Sequence, residues 1–463
     1  MKRLLILSAL AMFFTGCMVG PNYQKPKVSL PAGWRSPAST ASSLGELKWW
    51  ALFKDPALGQ LIRTALDQNK NLLIAAARVT QAQAELGVTR ANQYPEIDAG
   101  ASMERERLSR TGSFPLPASF SSQLNLFSIS PQISYQTDFW GQYRRATAAA
   151  RANLLATEEA QRNVIISVVS GVAQGYFTLR ELDSELQITQ RTVASYQDSL
   201  HLTRIRFEGG VASELDVRQA ETQLYTAQAT IPAFEQQIGQ EEDTISILLG
   251  QNPEAIPRGL ALTEQPLPLN VPAGLPSQLL ERRPDIMQAE DQLIAASEQI
   301  GIARAQFFPQ IPLTGSGGFQ SSQLSSLFAG PAGVFQLAAN LTAPVFTAGR
   351  LRSNLRAVQA EYRETLISYQ QTIQQALREV DDSLIAYQKT LRQRTADEAL
   401  VTAAQKAVDL SNIRYRNGVA TYLDVLDSER TLFSAQLSLA QVQGNTLVSV
   451  VQLYEALGGG WQP

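Results

Sequence analysis

Two aspartates, three residues apart in the sequence, are the residues of this chain whose type and spacing best suit an electrostatic site. Asp424 and Asp427 lie in the segment LDVLD at 423–427, two residues after Thr421, which is a suitable residue to cap the start of a helix. Grouped carboxylates attract cations, repel anions and raise one another's pKa. Acidic residues are also favoured at helix starts by the helix dipole, so an ordinary capping role is the alternative. An earlier copy of the segment keeps Asp216 and has Gln219 in place of the second acid.

The other residues of chemical interest do not form a recognisable catalytic or metal-binding group. The chain has one histidine, His201, and one cysteine, Cys17, so His201 has no second His or Cys with which to bind zinc. Serine and acidic residues occur together, as in DSERT at 427–431, but without a general base of the usual kind. We therefore expect neither an enzyme nor a metal site.

The N-terminus has the pattern of a bacterial lipoprotein signal. Two basic residues precede an apolar stretch over 4–14, which is too short to span a bilayer as a retained helix. Small residues stand directly before Cys17. We predict a signal peptide at 1–16, a lipid on Cys17 as the only covalent addition, and an extended segment at 17–54. Met18 at the next position fits sorting to the outer membrane. A plain cleaved signal is the alternative.

Composition narrows the class of partner. The 463 residues are 44% hydrophobic, which is enough for a core. The net charge is −3, and removal of Lys2 and Arg3 with the signal takes two positive charges away and gives −5. No sustained basic block occurs, so nucleic acid is not an expected partner.

The chain is a tandem duplication. When Ile205 is aligned with Ile413, twelve of the twenty-four pairs through Gln228 and Gln436 are identical. A second pair of segments, GVTRANQYPEI and GIARAQFFPQI, lies upstream of the two copies. We therefore predict repeat 1 at 55–250 and repeat 2 at 276–463. A Pro- and Gly-rich linker at 251–275 joins them.

Each repeat is predicted to contain one initial helix, two strands and a helical hairpin. Apolar residues recur at steps of three and four, which is typical of long helices packed against neighbouring helices. The predicted long helices cover 141–207 and 348–416, and a helix of about 65 residues is on the order of 100 Å long. Each ends at a turn that tolerates left-handed backbone, Gly209-Gly210 or Asn417-Gly418. The return helices are predicted at 213–250 and 421–457.

Four segments alternate apolar and polar residues with a period of two, with the apolar residues at odd positions. The predicted strands are 95–107, 127–139, 310–320 and 334–345. Burial of the apolar faces against helices in a soluble protein is one interpretation. A membrane barrel is the other interpretation. The secretory signal favours it, since it directs the protein out of the cytoplasm, and strands of about ten residues with this alternation suit an outer-membrane barrel. Four strands cannot close a barrel, so three chains with four strands each would make twelve.

Five segments carry a resemblance over nearly all of the mature chain. They are WWALFKDPALGQLIRTALDQN, LLERRPDIMQAE, APVFTAGRLRSNL, RYRNGVATYLDVLDSERTLFSAQ and LYEALGGGW. Together they resemble outer-membrane factors of the TolC type, in the lipoprotein branch that serves RND efflux pumps. The resemblance implies an α+β membrane protein. Its long α-helical barrel would be continuous with a trimeric 12-stranded β-barrel, to which each chain gives four strands.

The resemblance also implies partners and a passive mechanism. A homotrimer in the Gram-negative outer membrane would meet a periplasmic membrane-fusion adaptor and an inner-membrane RND transporter. Drugs or other small toxic compounds would leave through its tunnel, which crosses the periplasm. The expected adaptor contacts are at the hairpin tips: Gly209, Gly210, Val211, Asn417, Gly418 and Val419.

The same resemblance assigns the acidic residues to a periplasmic gate. Asp424 and Asp427 match the aspartates that form the constriction in TolC, and Asp216 is the matching acid of the first copy. Three chains would place six carboxylates from Asp424 and Asp427 around a narrow pore. The arginine that TolC carries in this turn falls on Ala420, so closure must differ. The exit duct of a type I protein-secretion system and a periplasmic coiled-coil scaffold without a pore are the alternative functions.

Overall fold

A computed structural model of the chain describes residues 18–35, 54–109, 121–266, 274 and 276–459. The predicted signal peptide and Cys17 lie outside the described residues. Within them the chain forms eight α-helices and four β-strands. In chain order these are α1 (Pro56–Gln68), α2 (Lys70–Ala91), β1 (Glu96–Arg107), β2 (Gln123–Gln136), α3 (Gln142–Glu208), α4 (Glu214–Leu249), α5 (Leu279–Arg282), α6 (Pro284–Ala305), β3 (Pro312–Ser321), β4 (Gly333–Ala339), α7 (Arg350–Arg416) and α8 (Tyr422–Ala456).

The chain divides into two compact units. One is built from the described residues of 1–27, 80–157 and 289–369, and it contains the sheet. The other is built from the described residues of 28–79, 158–288 and 370–463, and it contains both hairpin turns. Each unit takes equivalent parts of the two repeats.

The two long helices lie within two residues of their predicted positions. α3 and α7 have 67 residues each. α7 begins at Arg350 rather than at 348, because Ala348 and Gly349 have left-handed backbone with φ of 49° and 86°, which cannot continue a right-handed helix. No helix in the described ranges combines the length and hydrophobicity needed to cross a membrane.

The single helix predicted at the start of each repeat is wrong, since both copies are broken. In the first copy, Asn69 separates α1 from α2 and is buried. Its side-chain oxygen accepts the N–H groups of Asn71 (2.8 Å) and Leu72 (3.2 Å), and so caps the second helix. In the second copy, Arg283 is extended because Pro284 follows, and Pro284 begins α6.

The strands form one antiparallel sheet in the order β1-β2-β3-β4. The pairing of β2 with β3 joins the two repeats. The register places odd-numbered residues opposite one another across all four strands, as in the row Ile97, Ile133, Gly315 and Leu337. The predicted phase therefore holds: the apolar residues share one face.

Two strands differ from their predicted bounds by more than two residues, whereas β1 and β3 lie within two residues of theirs. β2 starts at Gln123 rather than at 127, because it pairs with the whole of β1, and it ends at Gln136 rather than at 139. The next residues serve the helix start, where the Asp138 carboxylate accepts the N–H groups of Tyr143 and Arg144. β4 ends at Ala339 rather than at 345. Prolines at 309, 312 and 344 supply no N–H to that part of the ladder, and a single bridge pairs Gln310 with Thr342.

Candidate functional site

The two hairpin tips have the same backbone geometry. At the end of α3 the Val211 N–H donates to the Arg206 carbonyl (2.8 Å), and at the end of α7 the Val419 N–H donates to the Arg414 carbonyl (3.0 Å). Gly210 and Gly418 both have φ of 73°. This is the left-handed C-cap expected for these turns, and glycine adopts it without a Cβ penalty. Both turns end their helices at the same point of the two copies.

Each return helix begins with a capping box that uses one of the candidate gate acids. Ser213 accepts the Asp216 N–H (3.2 Å) while Asp216 accepts the Ser213 N–H (2.9 Å). In the second copy, the Asp424 carboxylate accepts the N–H and the hydroxyl of Thr421, both at 2.9 Å. These hydrogen bonds from Thr421 hold the pKa of Asp424 below its ordinary value. Within one chain, Asp216 and Asp424 therefore act as capping residues.

Asp427 differs from the two capping acids. It is exposed on α8, and its carboxylate has no partner among the described residues. It lines, with Arg430, an open groove between α4 and α8. Of the three predicted gate acids, Asp427 is the one whose carboxylate makes no capping bond among the described residues.

The six predicted contact residues at the tips are all exposed: Gly209, Gly210, Val211, Asn417, Gly418 and Val419. Apolar side chains at equivalent positions of the two copies surround them. Val211 is 67% exposed and Val419 65%, and the next pair, Leu215 and Leu423, is 64% and 60% exposed. The duplication thus repeats the same exposed apolar surface at the two tips.

Beneath the tips, the two hairpins pack on each other through one apolar cluster. All four hairpin helices contribute to it: Val193, Tyr196, Leu200, Val217, Ala220, Leu224, Ala227, Tyr415, Tyr422, Val425 and Leu426. The Arg206 guanidinium lies 4.5 Å from the centre of the Tyr415 ring, which places a cation against an aromatic face. The two tips are therefore joined by side-chain contact.

The sequence prediction missed one acid of this region. Glu429 is buried on α8, five residues after Asp424, whereas its equivalent Glu221 is partly exposed and paired with Arg204 and Arg218. A comparison of the two copies could have found it. The positions of those arginines in the second copy are Asn412 and Leu426, neither of which can neutralise a carboxylate.

Known proteins resemble this chain over nearly its whole length. A family model described as "Outer membrane efflux protein" matches residues 61–251 and 275–459. The toluene efflux pump outer membrane protein TtgC of Pseudomonas putida is 37% identical, over 99% of this chain and 96% of its own length. A membrane protein of Pseudomonas aeruginosa, solved by crystallography, superposes with a TM-score of 0.89 at 32% identity, covering 96% of this chain and 100% of that one.

A third comparison concerns a channel solved in an open state. The open state of the MtrE outer membrane channel of Neisseria gonorrhoeae has a TM-score of 0.88 at 29% identity, covering 96% of this chain and 99% of that one. The resemblance found from the sequence is confirmed, and so is the outer-membrane location. The chain belongs to the outer membrane efflux protein family.

Proposed function

We propose that this protein is the outer-membrane exit channel of a tripartite efflux pump. It passively conducts drugs or other small toxic compounds from a periplasmic adaptor and an inner-membrane RND transporter to the exterior. The observation that carries the proposal is the four-stranded sheet, whose apolar face is exposed. Phe335 is 85% exposed and Leu337 79%, so a single chain leaves large apolar side chains uncovered. A lipid environment covers them.

The edges of the sheet support a homotrimer. β1 and β4 are the outer strands, and their outer edges pair with no strand among the described residues. Unpaired backbone groups are costly in lipid, so a membrane sheet must close on itself. Pairing of β4 of one chain with β1 of the next, repeated three times, gives a twelve-stranded barrel, within the range of about 8 to 26 strands of bacterial outer-membrane barrels.

The hairpin tips are the proposed site of adaptor docking and gating. The exposed valines and leucines of both copies offer an apolar surface that an adaptor hairpin can cover. Three chains present six such tips. Asp427 of each chain places a free carboxylate beside the pore, and Asp424 and Asp216 add charges that are held by their capping bonds. Since Ala420 stands where the TolC arginine would be, the apolar cluster takes the place of that salt bridge in closure.

A lipid on Cys17 is the proposed second anchor. The residues that follow it are fixed to the sheet-containing unit. The Val19 N–H donates to the Trp140 carbonyl (3.1 Å), and the fully buried Arg145 donates to the Val19 carbonyl (2.7 Å). Arg145 also pairs with Glu298 at 2.7 Å. These contacts hold Val19, two residues after Cys17 in the sequence, beside the start of α3.

The name of the relative supports small-molecule efflux over protein secretion. TtgC is named for a toluene efflux pump. Exit of a small compound requires only an opening at the tips and a continuous water-filled path. In this mechanism the protein itself contributes no energy. The energy comes from the inner-membrane partner.

The first test is the mass of the particle extracted from outer membranes in mild detergent, corrected for bound detergent. We expect about three chain masses, and steady conductance when the particle is placed in planar bilayers. A monodisperse monomer would overturn the shared barrel, because one four-stranded sheet cannot close. Mass spectrometry of the N-terminal peptide tests the lipid on Cys17 separately, and an unmodified cysteine there would remove the anchor from the proposal.

A further inference from the structure

Two glutamates occupy equivalent positions in the two hairpins but have different surroundings. Glu221 on α4 and Glu429 on α8 are related by the 208-residue offset that aligns the copies. Glu221 binds Arg204 at 2.7 Å and Arg218 at 2.9 Å. Hydrogen bonds from Arg204 first, and then from Arg218, hold the pKa of Glu221 below its ordinary value. Glu221 in the first copy therefore stays ionised, and the two arginines balance its charge.

The second copy has lost both cations. Asn412 and Leu426 replace the two arginines. Glu429 is 5% exposed, and its Oε2 atom is buried with no hydrogen-bond partner in the part of the chain that the structure describes. A buried carboxylate that lacks a counter-charge strongly disfavours the ionised form.

The groups that surround Glu429 are neutral at ordinary pH. From α3, the Tyr196 hydroxyl donates to the Glu429 carbonyl (3.3 Å) and Ser199 bonds its carboxyl. From α4, Gln223 donates to the Tyr196 hydroxyl (2.9 Å). On α8 itself, Tyr422 is close enough for the Glu429 charge to raise its pKa, and Tyr422 packs on Tyr415 of α7. The neighbouring cation, Arg430, is exposed.

Burial raises the pKa of Glu429 to about 7, against the opposing effect of Ser199. An acid whose pKa is raised in a packed state weakens that state as the pH rises above its ordinary pKa, and the full penalty is reached above the raised value. The packed state therefore loses stability as the pH rises from about 4.5 to about 7. Movement of α8 away from α3 would hydrate the carboxylate and remove the penalty.

We propose that Glu429 is a proton-operated switch in the second hairpin. When it is protonated, α8 packs closed against α3. When it is ionised, the hairpin is driven towards a loosened arrangement in which the carboxylate meets water. The switch is confined to the second hairpin because Glu221 keeps its arginines. This inference rests on the proposed gating role of the tips, and it adds a control by pH to that role.

The test is single-channel recording on trimers in planar bilayers, across a pH series, with Glu429→Gln as the variant and Glu221→Gln as the matched control. In the unmodified protein the closed-to-open ratio should fall as the pH rises, by up to about a hundredfold between about pH 5 and pH 8. Glu429→Gln should lose this step and stay mostly closed. Glu221→Gln should keep it. Asp424 and Asp427 are unchanged in both variants, so the comparison isolates Glu429.

Three results would overturn the switch: no pH step in the unmodified protein, a step that survives in Glu429→Gln, or an equal loss in both variants. Hydrogen exchange of the amides over 422–433, corrected for intrinsic rates, tests the same inference without conductance. Protection should fall with rising pH in the unmodified trimer and stay constant in Glu429→Gln. Absence of conductance at every pH in all three proteins would count against the channel itself, whereas conductance that does not respond to pH counts against the switch alone.

Discussion

At the scale of single residues, the acids near the tips divide by their contacts rather than by their sequence. Asp424 and Asp216 are tied to the first turns of α8 and α4 by capping bonds, whereas Asp427 is free. Capping and the proposed gating are therefore not exclusive alternatives for Asp424, since a carboxylate that caps a helix still carries its charge. Substitutions at these positions must therefore remove the charge and leave the capping hydrogen bonds in place.

The first prediction uses that separation. Asp424→Asn with Asp427→Asn removes two charges per chain but leaves side-chain oxygens that can accept the Thr421 bonds. Cation preference should fall and single-channel conductance should rise, because the proposed ring of charge is gone. Reversal-potential measurements in a salt gradient give the selectivity. Asp216→Asn, which removes the first-copy cap acid, should change selectivity less, and a selectivity equal to that of the unmodified protein in the double variant would exclude the gate assignment.

The second prediction concerns Asp55, which is buried and binds three parts of the chain. Its carboxylate accepts the Tyr176 hydroxyl, the Leu260 N–H and the Gln265 amide at 2.8–2.9 Å. Burial acts to raise the pKa of Asp55, but the hydrogen bonds from Gln265 and Tyr176 outweigh it, so the pKa is lowered. Asp55→Ala should cost about 2–4 kcal/mol and Tyr176→Phe about 1–2 kcal/mol. Thermal unfolding in detergent measures both.

The sign of the pH dependence follows from the lowered pKa. The stabilisation by Asp55 is complete above its ordinary pKa of 3.8 and is lost as the pH falls below that value. The difference between Asp55→Ala and the unmodified protein should therefore shrink in acid. A difference that is constant down to strongly acidic pH would contradict this account.

At the scale of elements, the two hairpins have the same backbone geometry but different charged residues. The turns, the capping boxes and the exposed valines are equivalent. The charged residues behind them are not, because the second copy lacks the arginines that pair with Glu221 in the first. Equivalent turns give the two tips similar surfaces, whereas the charged residues behind them differ.

The third prediction tests the turns. Gly210→Val and Gly418→Val force a β-branched residue into left-handed backbone, at a cost of about 1–3 kcal/mol, although the added Cβ itself meets no atom within 4 Å. We expect efflux to be lost while membrane levels stay normal, because strain at a tip alters adaptor docking. Gly209→Ala is the matched control, since Gly209 does not need left-handed backbone. Normal drug resistance in the valine variants would count against a role for the tips.

At the scale of the whole molecule, a single chain leaves several surfaces uncovered. Its sheet has an exposed apolar face and two outer edges without partner strands in the described ranges, and its tips expose apolar residues. In the proposed assembly, lipid covers the sheet face, other copies of the chain pair with the edges, and a periplasmic partner covers the tips. Each of these surfaces points to a different component of an efflux assembly.

The fourth prediction tests which face of the sheet meets lipid. Leu337→Arg places a charge on the apolar face and should cost about 2–4 kcal/mol at the middle of the bilayer. Fewer trimers should be recovered from outer membranes. Gln336→Arg, the neighbour on the opposite face, should assemble normally. Heat-modifiable trimer bands on gels measure both, and equal assembly of the two variants would contradict the assignment of faces.

Local patterns in the sequence determined the helices, the turns and the phase of the strands. The spacing of apolar residues predicted both 67-residue helices to within two residues, since the period of a helix is a property of neighbours along the chain. Sequence alone also gave the resemblance that the comparisons confirmed. The breaks at Asn69 and Arg283 and the early end of β4 escaped it. Whether a capping side chain or a residue without an N–H ends an element depends on the groups that surround it in the folded chain.

The environment of each acid was decided by the tertiary structure alone. Glu221 and Glu429 are identical as letters and equivalent in the duplication. One meets two arginines, and the other is enclosed among hydroxyls and apolar side chains where α8 packs on α3. The sequence shows that Glu429 has lost the two arginines of the first copy. Its burial depends on neighbours that are distant in sequence, so only the packed hairpins show that it can hold a proton near neutral pH.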